Sequence, residues 1–445
     1  MKILSILTAK LLIFIGKILG RGSVLPGSIA LKIDKNILSK IKMPKTVISV
    51  TGSSGKGSTC NLIVDIARKQ RKSVVFNDKG SNLVTGILTT LLASCNLKGE
   101  LKQDILVTEI DERYTKLLFK YLKPNYVVIT NITRDQPPRH GNFEIVYEEI
   151  KKALTKDMHL VLNADDPYTQ KFILSSQNKY TLFGIGTNKY TYNDEKFENL
   201  NIKYCPKCNS KLLYNYYHCE TLGNYYCPNC DFKRKKPLIE VTKLDYEKSF
   251  VVVNDEYKFN IPFNTLFEVY NTLAAFTVAS LINLNLDEAC NTISKMPVNL
   301  KIFNKYTYND RIVYVLNNKA ENATTYNQSL LFVKRNTELK TLIIGWKEIS
   351  RRYNFDDLSW LYDIEFELLS NNEIDKIICI GPQAYDIATR LKYANIEEEK
   401  IVVIPLIDEA VKFIKSKTKG NIYGILNFDM VEPFNTNMKG EKSGN

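Results

Sequence analysis

From Thr46 onward the chain alternates short apolar runs with longer segments of helical periodicity. Val47-Ile48-Ser49-Val50 reads as a buried strand, followed by a Gly/Ser turn and a stretch with Leu62, Ile63, Ile66 and Ala67 at helical spacing. Ile105-Leu106-Val107 ends in acidic residues, Tyr126 to Thr130 ends at Asn131, and Leu160-Val161-Leu162 runs into Asn163-Ala164-Asp165-Asp166-Pro167. Apolar runs with polar carboxyl ends, separated by helix-length segments, predict a parallel sheet with a ligand at its carboxyl edge. Residues 200–235 break the pattern with Cys, Tyr, Asn and Lys. Helical periodicity returns from Val269 to Leu284, and beyond 298 apolar runs recur at 312–316, 342–344, 377–380 and 401–404. The expected architecture is α/β, with a helical segment over 1–45 and a central domain over 46–297 that carries an insert at 200–235. A smaller α/β domain over 298–445 completes it, and the polar tail from Asn435 is expected to be disordered.

The first twenty residues are apolar but carry Lys2, Lys10 and Lys17, and their longest unbroken apolar run, Leu11 to Ile15, is far too short to span a bilayer. No small-residue cleavage site follows, so a signal peptide is not expected. On a helical wheel the three lysines share one arc while Ile3, Leu7, Leu11, Phe14 and Ile18 lie opposite. Such a helix either packs on its own protein or lies on the inner face of a membrane.

Composition changes this picture little. At 445 residues, 44% apolar and 24% charged, the chain is an ordinary globular one with room for two or three domains. The net charge of +13 favours an anionic partner, whether nucleic acid, acidic headgroup or phosphorylated substrate, without choosing among them. Of nine cysteines, Cys60, Cys95, Cys219, Cys290 and Cys379 are scattered, which argues against a secreted disulfide framework and for a reducing cytoplasm.

Three clusters carry candidate chemistry. Thr51-Gly52-Ser53-Ser54-Gly55-Lys56-Gly57-Ser58-Thr59 lies between a predicted strand and a predicted helix, as a phosphate-binding loop must. Its glycines let backbone N–H groups turn toward a phosphate, the helix start adds positive potential, and Lys56 can reach the β- and γ-phosphates of ATP. Ser58 is the expected Mg²⁺ hydroxyl, with Thr59 as the fallback. In Glu109-Ile110-Asp111-Glu112, a carboxylate at a strand end can complete a Mg²⁺ shell. Cys205-Pro206-Lys207-Cys208 and Cys227-Pro228-Asn229-Cys230, eighteen residues apart, fit a closed tetrahedral Zn²⁺ site that staples a small ribbon. His218 and Cys219 lie between the knuckles as competing ligands, and a nucleic-acid-binding ribbon is the alternative use of such a fold. None of the three histidines, His140, His159 and His218, sits in a nucleophile motif, so a self-contained Cys-His glutaminase is not expected.

Together these segments resemble the Mur ligases, and among them the MurT family. The resemblance rests on the ATP loop, the four-cysteine insert and short motifs in order along the chain. These are Leu25-Pro26-Gly27, Gly80-Ser81-Asn82, Glu109-Ile110-Asp111-Glu112, Thr130-Asn131 with Arg134-Asp135-Gln136, and Asn163 to Pro167. Tyr270-Asn271 with Ala274-Ala275, and Asp357 to Asp363, follow. The resemblance implies a Mur ligase-type central P-loop ATPase domain with a parallel sheet, the inserted zinc ribbon and a smaller C-terminal α/β domain. It implies a synthetase subunit that pairs with a GatD-like glutaminase and amidates the D-glutamate of lipid II to D-isoglutamine. ATP would phosphorylate the α-carboxylate and ammonia would displace the phosphate. The resemblance makes Glu109 the metal-facing carboxylate, places Asn271 on the adenine and has Asp357 complete the partner's Cys-His catalytic set. A cytoplasmic protein at the inner face of the plasma membrane is expected, with no nucleic acid. A Mur/folate-type ligase adding an amino acid, suggested by Gly57-Ser58, and a nucleotide-binding scaffold are the alternatives. The C-terminal stretch departs from the family pattern at Asn304-Lys305, Asn317 to Asn322, Gly345-Trp346-Lys347 and Asn354 to Asp357.

Overall fold

A computed structural model describes residues 1–18, 24–78, 82–133, 142–194, 203–261, 265–296, 303–318, 322–346, 357–370 and 373–440. Gly80, Ser81, Arg134 to Gln136, His140, Lys347 and Asn354 to Asp356 lie outside the described residues.

Helices α1 (Lys2–Ile18) and α2 (Leu25–Ile33) precede the first sheet. Its parallel strands are β1 (Thr46–Thr51), β2 (Val74–Phe76), β3 (Ile105–Glu109), β4 (Tyr126–Ile129), β5 (His159–Asn163) and β6 (Lys179–Ile185). Between them run α3 (Lys56–Lys69), α4 (Val84–Ser94), α5 (Thr115–Leu122), α6 (Phe143–Lys151) and α7 (Pro167–Ser175). The hairpin β7 (Leu213–Cys219) and β8 (Leu222–Tyr226) forms a separate two-stranded sheet. β9 (Ile239–Asp245) joins β6 in parallel, and β10 (Phe250–Val253) and β11 (Tyr257–Asn260) extend that edge antiparallel. The order is β11-β10-β9-β6-β5-β4-β1-β3-β2, so the chain diverges to both sides of β1 and opens a crevice at its carboxyl end.

α8 (Leu266–Leu281) and α9 (Leu286–Ser294) close this unit. α8 is apolar nearly all round because it is buried nearly all round, packed on α3. The second sheet contains β12 (Phe303–Tyr308), β13 (Arg311–Asn318), β14 (Lys340–Gly345), β15 (Ile374–Ile380), β16 (Ile401–Val403) and β17 (Asn421–Asn427), in the order β12-β13-β17-β14-β15-β16. Its helices are α10 (Ala323–Arg335), α11 (Ala384–Tyr393), α12 (Ile407–Lys417) and α13 (Phe428–Lys439). All its pairings are parallel except β12 with β13.

One expectation changes and a second is resolved. The chain from Asn435 to Lys439 is not a loose tail but the end of α13, because Met430, Val431, Phe434 and Met438 fall on one buried face and Gly440 ends the helix at φ +76°. α1 does pack on its own protein, against α2 and α4, but through Ser5, Ile6 and Ala9, while Ile3, Leu7, Leu11, Phe14 and Ile18 remain exposed. Among the described residues no helix is long and apolar enough to cross a membrane.

Candidate functional site

The loop from Gly52 to Gly55 joins β1 to α3 at the sheet's carboxyl edge. Gly52 and Gly55 hold φ of +127° and +80°, and a Cβ at either would strike a neighbour, Thr130 Oγ1 at Gly52 and the Asn271 amide at Gly55. The loop therefore needs glycine for both conformation and space. The end of β4 fixes it. Ser54 N donates to Asn131 Oδ1 (3.0 Å), and the Ser54 carbonyl accepts from Thr130 Oγ1 (2.6 Å) and Asn131 Nδ2 (3.1 Å). Ser53 N donates to the Asn131 carbonyl (3.0 Å).

Lys56 is buried, with its ammonium turned back to the Gly52 carbonyl and 3.3 Å from Glu112 Oε2. Glu109 ends β3 with its backbone bracketed by the Asn77 side chain, and Oε1 accepts from Asn82 Nδ2 (3.2 Å). A Cβ at residue 57 would lie 3.3 Å from Glu109 Oε2, so Gly57 leaves the carboxylate room beside the helix start. Ser58 faces the same cavity, whereas Thr59 is wholly buried with its hydroxyl on Asn271 Oδ1 (3.3 Å). A hydroxyl and a carboxylate converging on a helix N-terminus are a donor set that suits a hydrated Mg²⁺ on a nucleotide.

These residues form one wall of a cavity of about 390 Å³. The facing wall comes from β13 and α10: Asn317, Asn318, Thr325, Gln328 and Ser329. Glu268, at the start of α8, also lines it, and burial pushes its carboxyl up to about 7 despite a hydrogen bond with Asn271. Asp357 does not line this cavity. Its Oδ1 accepts from Ser359 N (2.9 Å) at the start of a 3-10 turn over Ser359–Asp363, beside the buried Trp360.

The insert brings Cys205, Cys208, Cys227 and Cys230 together with all four sulfurs within 4.8 Å of one another. Cys205 and Cys230 are 3.6 Å apart and Cys208 and Cys227 3.3 Å. Thiolates on a tetrahedral zinc stand about 3.8 Å apart, so the cluster fits the ion. His218 and Cys219 do not belong to it: His218 Nε2 donates to the Ile185 carbonyl (2.9 Å) and Cys219 is buried in the central core. The insert has its own small core of Leu212, Tyr225 and Phe232 around two of the cysteines.

Several partners were not readable in advance. Glu112 faces Lys56 across fifty-six residues of chain. Arg234, just past the second knuckle, donates from Nε to the fully buried Asp165 (2.7 Å), which also accepts from the Tyr270 hydroxyl (2.9 Å) and Ile185 N (2.7 Å). Glu220, at the hairpin tip with φ +49°, accepts from Asn327 Nδ2 of α10 (2.7 Å). The one available signal was the run Asn163 to Pro167, whose Asp165 and Asp166 are too deeply buried to be a surface turn.

Comparison with known proteins adds to this geometry. The Mur ligase middle domain matches residues 50–279 and the MurT ligase C-terminal family matches residues 319–430. The chain is 30% identical over 433 residues to the lipid II isoglutaminyl synthase (glutamine-hydrolyzing) subunit MurT of Staphylococcus aureus (strain COL), covering 95% of both chains. It is 28% identical to the subunit of the same name from Streptococcus pneumoniae (strain ATCC BAA-255 / R6), covering 91% of this chain and 90% of the relative. A pseudomurein peptide ligase type C from Methanothermus fervidus shares the fold, with a TM-score of 0.70 at 20% identity over 92% of this chain and 81% of the other.

Proposed function

The chain belongs to the Mur ligase family of ATP-dependent ligases, in its MurT branch, and on that premise we propose that it is the synthetase subunit of a lipid II isoglutaminyl synthase. The observation that carries the reading is the shared cavity, with the glycine loop, Lys56, Ser58, Glu109 and Asn271 on one wall and the amides and hydroxyls of Asn317, Asn318, Thr325, Gln328 and Ser329 from the C-terminal unit opposite. An α-carboxylate oxygen of the D-glutamate residue attacks the γ-phosphorus of ATP, and ADP leaves. Ammonia then adds to the acyl carbon, phosphate departs, and the nitrogen loses a proton to give the amide. The carboxylate needs this activation because hydroxide or oxide is too poor a leaving group.

The protein's own residues orient and neutralise. The N–H groups at the start of α3 cradle the phosphates, and Lys56 leaves the Gly52 carbonyl to meet developing phosphoryl charge, with Glu112 keeping it fixed on the loop side. Ser58 and Glu109 hold Mg²⁺, which supplies charge neutralisation on the phosphates when bound. Asn271 contacts the adenine. Cys205, Cys208, Cys227 and Cys230 hold a structural zinc that staples the insert. The parts are a helical segment over 1–45, an ATP-binding domain over 46–297 with the zinc ribbon at 200–235, and a C-terminal ligase domain over 298–445. Ammonia comes from a GatD-like glutaminase whose Cys-His pair Asp357 completes. The protein works in the cytoplasm, at the inner membrane face where lipid II is presented.

The test is amide formation on lipid II with ATP, comparing glutamine plus a glutaminase subunit against ammonium alone. Amidated product with ADP release is expected in both. ADP release with amino-acid addition in place of amidation overturns the reading, as does the absence of any acceptor-dependent turnover.

A further inference from the structure

We propose that α1 is a lipid-docking element whose outward apolar face inserts into the headgroup region of an anionic bilayer. The inference extends the reading of a membrane-borne substrate, but its test needs no substrate, so either can fail without the other.

The helix is held with its greasy side outward. Met1, Ile3, Leu4, Leu7, Leu11, Phe14, Ile15 and Ile18 are each between 42% and 71% exposed, whereas only Ile6 and Ala9 among its apolar side chains are buried. Polar contacts fix this rotation. Ser5 Oγ donates to the Ala30 carbonyl of α2 (2.9 Å), and Lys10 Nζ donates to the Ala93 carbonyl at the carboxyl end of α4 (3.1 Å). Lys2 Nζ donates to the Lys98 carbonyl. A cation at a helix carboxyl end is favourable, so the lysine arc has a reason to face the protein. Single exposed leucines are ordinary, but seven large apolar side chains on one helix, with Met1 just before it, are a patch that a water-soluble surface does not otherwise maintain.

Charge names the occupant. The first 45 residues carry nine basic side chains and one acidic one, giving +8 of the chain's +13 in a tenth of its length. The one acid, Asp34, is already paired with Lys40 at 2.6 Å. An apolar face set in a basic, carboxylate-poor segment matches acidic headgroups above an acyl boundary, and a helix of seventeen residues lies in that plane without spanning it.

The experiment is co-sedimentation of the purified full chain with vesicles. One set contains equal phosphatidylglycerol and phosphatidylcholine, the other phosphatidylcholine alone. The chain is expected to bind the first set more tightly than the second. The double variant Leu11→Glu/Phe14→Glu is expected to lose about tenfold or more of that binding, because both side chains would otherwise leave water. Both positions are exposed, so thermal unfolding and ATP binding should match wild type and serve as the folding control. Absence of wild-type binding to the anionic vesicles overturns the proposal, and so does equal binding by the variant. A lipid-free dimer that the variant dissolves, with vesicle binding unchanged, would make the face a seat for a second copy instead.

Discussion

The two walls of the nucleotide cavity are built on different principles. The β1–α3 wall is a loop in which glycine conformation, a buried lysine and a strand-end carboxylate are each demanded by phosphate chemistry, and Thr130 and Asn131 lock it by short-range hydrogen bonds. Among the described residues, the β13–α10 wall adds the amides and hydroxyls of Asn317, Asn318, Thr325, Gln328 and Ser329 beside the apolar Leu316. The first can bind and polarise by itself. The second depends on how the C-terminal sheet is placed over the crevice, which Glu220 of the insert helps to fix by its bond to Asn327. Among the described lining residues, the charged side chains Lys56, Glu109 and Glu268 thus all stand on the first side.

The largest effect should break the first wall. Lys56→Ala is expected to abolish ATP turnover while the chain still folds, with a lowered thermal midpoint because the buried Glu112 loses its cationic partner. Turnover at the wild-type rate in that variant would remove the loop from the mechanism. Glu112→Gln sharpens the point: Lys56 loses the carboxylate 3.3 Å from its ammonium, so ATP affinity should shift while the Gly52 contact persists.

Next comes Asp357, which belongs to neither wall. If it orients a partner's histidine, Asp357→Asn should cut glutamine-dependent amidation by about 10³-fold or more and spare ammonium-dependent amidation. If its bond to Ser359 N is its whole role, the variant keeps an oxygen that can accept that bond, so it should stay close to wild type in stability and keep its glutamine-dependent rate. Side-by-side rates with the two nitrogen sources decide between these.

Zinc removal should act on the insert. About one zinc per chain is expected by elemental analysis, since four thiolates fill one tetrahedral ion. Cys227→Ser should lose it and loosen residues 203–235 first, visible as faster amide exchange there, because structural zinc binding is coupled to local folding. Arg234 reaches from this insert to Asp165, which Tyr270 shares next to Asn271, so a weakened ATP affinity should accompany the loss. Full zinc-free protection of the insert would show the ribbon to be held by its small apolar core alone.

Legibility followed sequence distance. The strand–loop–helix unit around Lys56 and the paired knuckles could be read because each is a local pattern whose spacing is fixed by one ligand. The strands at 47–50, 105–107, 126–130 and 160–162 could be read because buried parallel strands are unbroken apolar runs. What could not be read needed two distant segments. The Lys56–Glu112 and Arg234–Asp165 pairs and the Glu220–Asn327 bond exist only once the sheets are in place. β17, central to the second sheet, was missed because its Gly424 interrupts the apolar run. α13 was missed because the polar residues of its outer face outnumber Met430, Val431, Phe434 and Met438, although their spacing is helical. The rotation of α1 could not be read because a wheel orders residues around a helix and says nothing of which side meets the protein.

The smallest expected effect concerns Glu268, the one carboxyl that the first wall buries beside Asn271. Burial raises it from an ordinary 4.5 to about 7, so in the folded chain it stays protonated where the unfolded chain is already ionised. The folded state therefore holds the extra proton between those values. Its stabilising contribution is complete below about pH 4.5 and is lost as pH rises through about 7. Asp166 and Glu220 are raised to about 7 for the same reason and act in the same direction. Glu268→Gln replaces the carboxyl with a group of the same shape that never ionises, so its own part of the pH dependence should vanish. Near pH 5 the variant and wild type should unfold at similar denaturant concentrations. Near pH 8 the variant should be more stable, by at most about 3 kcal/mol. Parallel denaturation curves at both pH values would mean that Glu268 titrates as it does in water, and that this wall of the cavity is wet enough to hydrate a carboxylate before any nucleotide arrives.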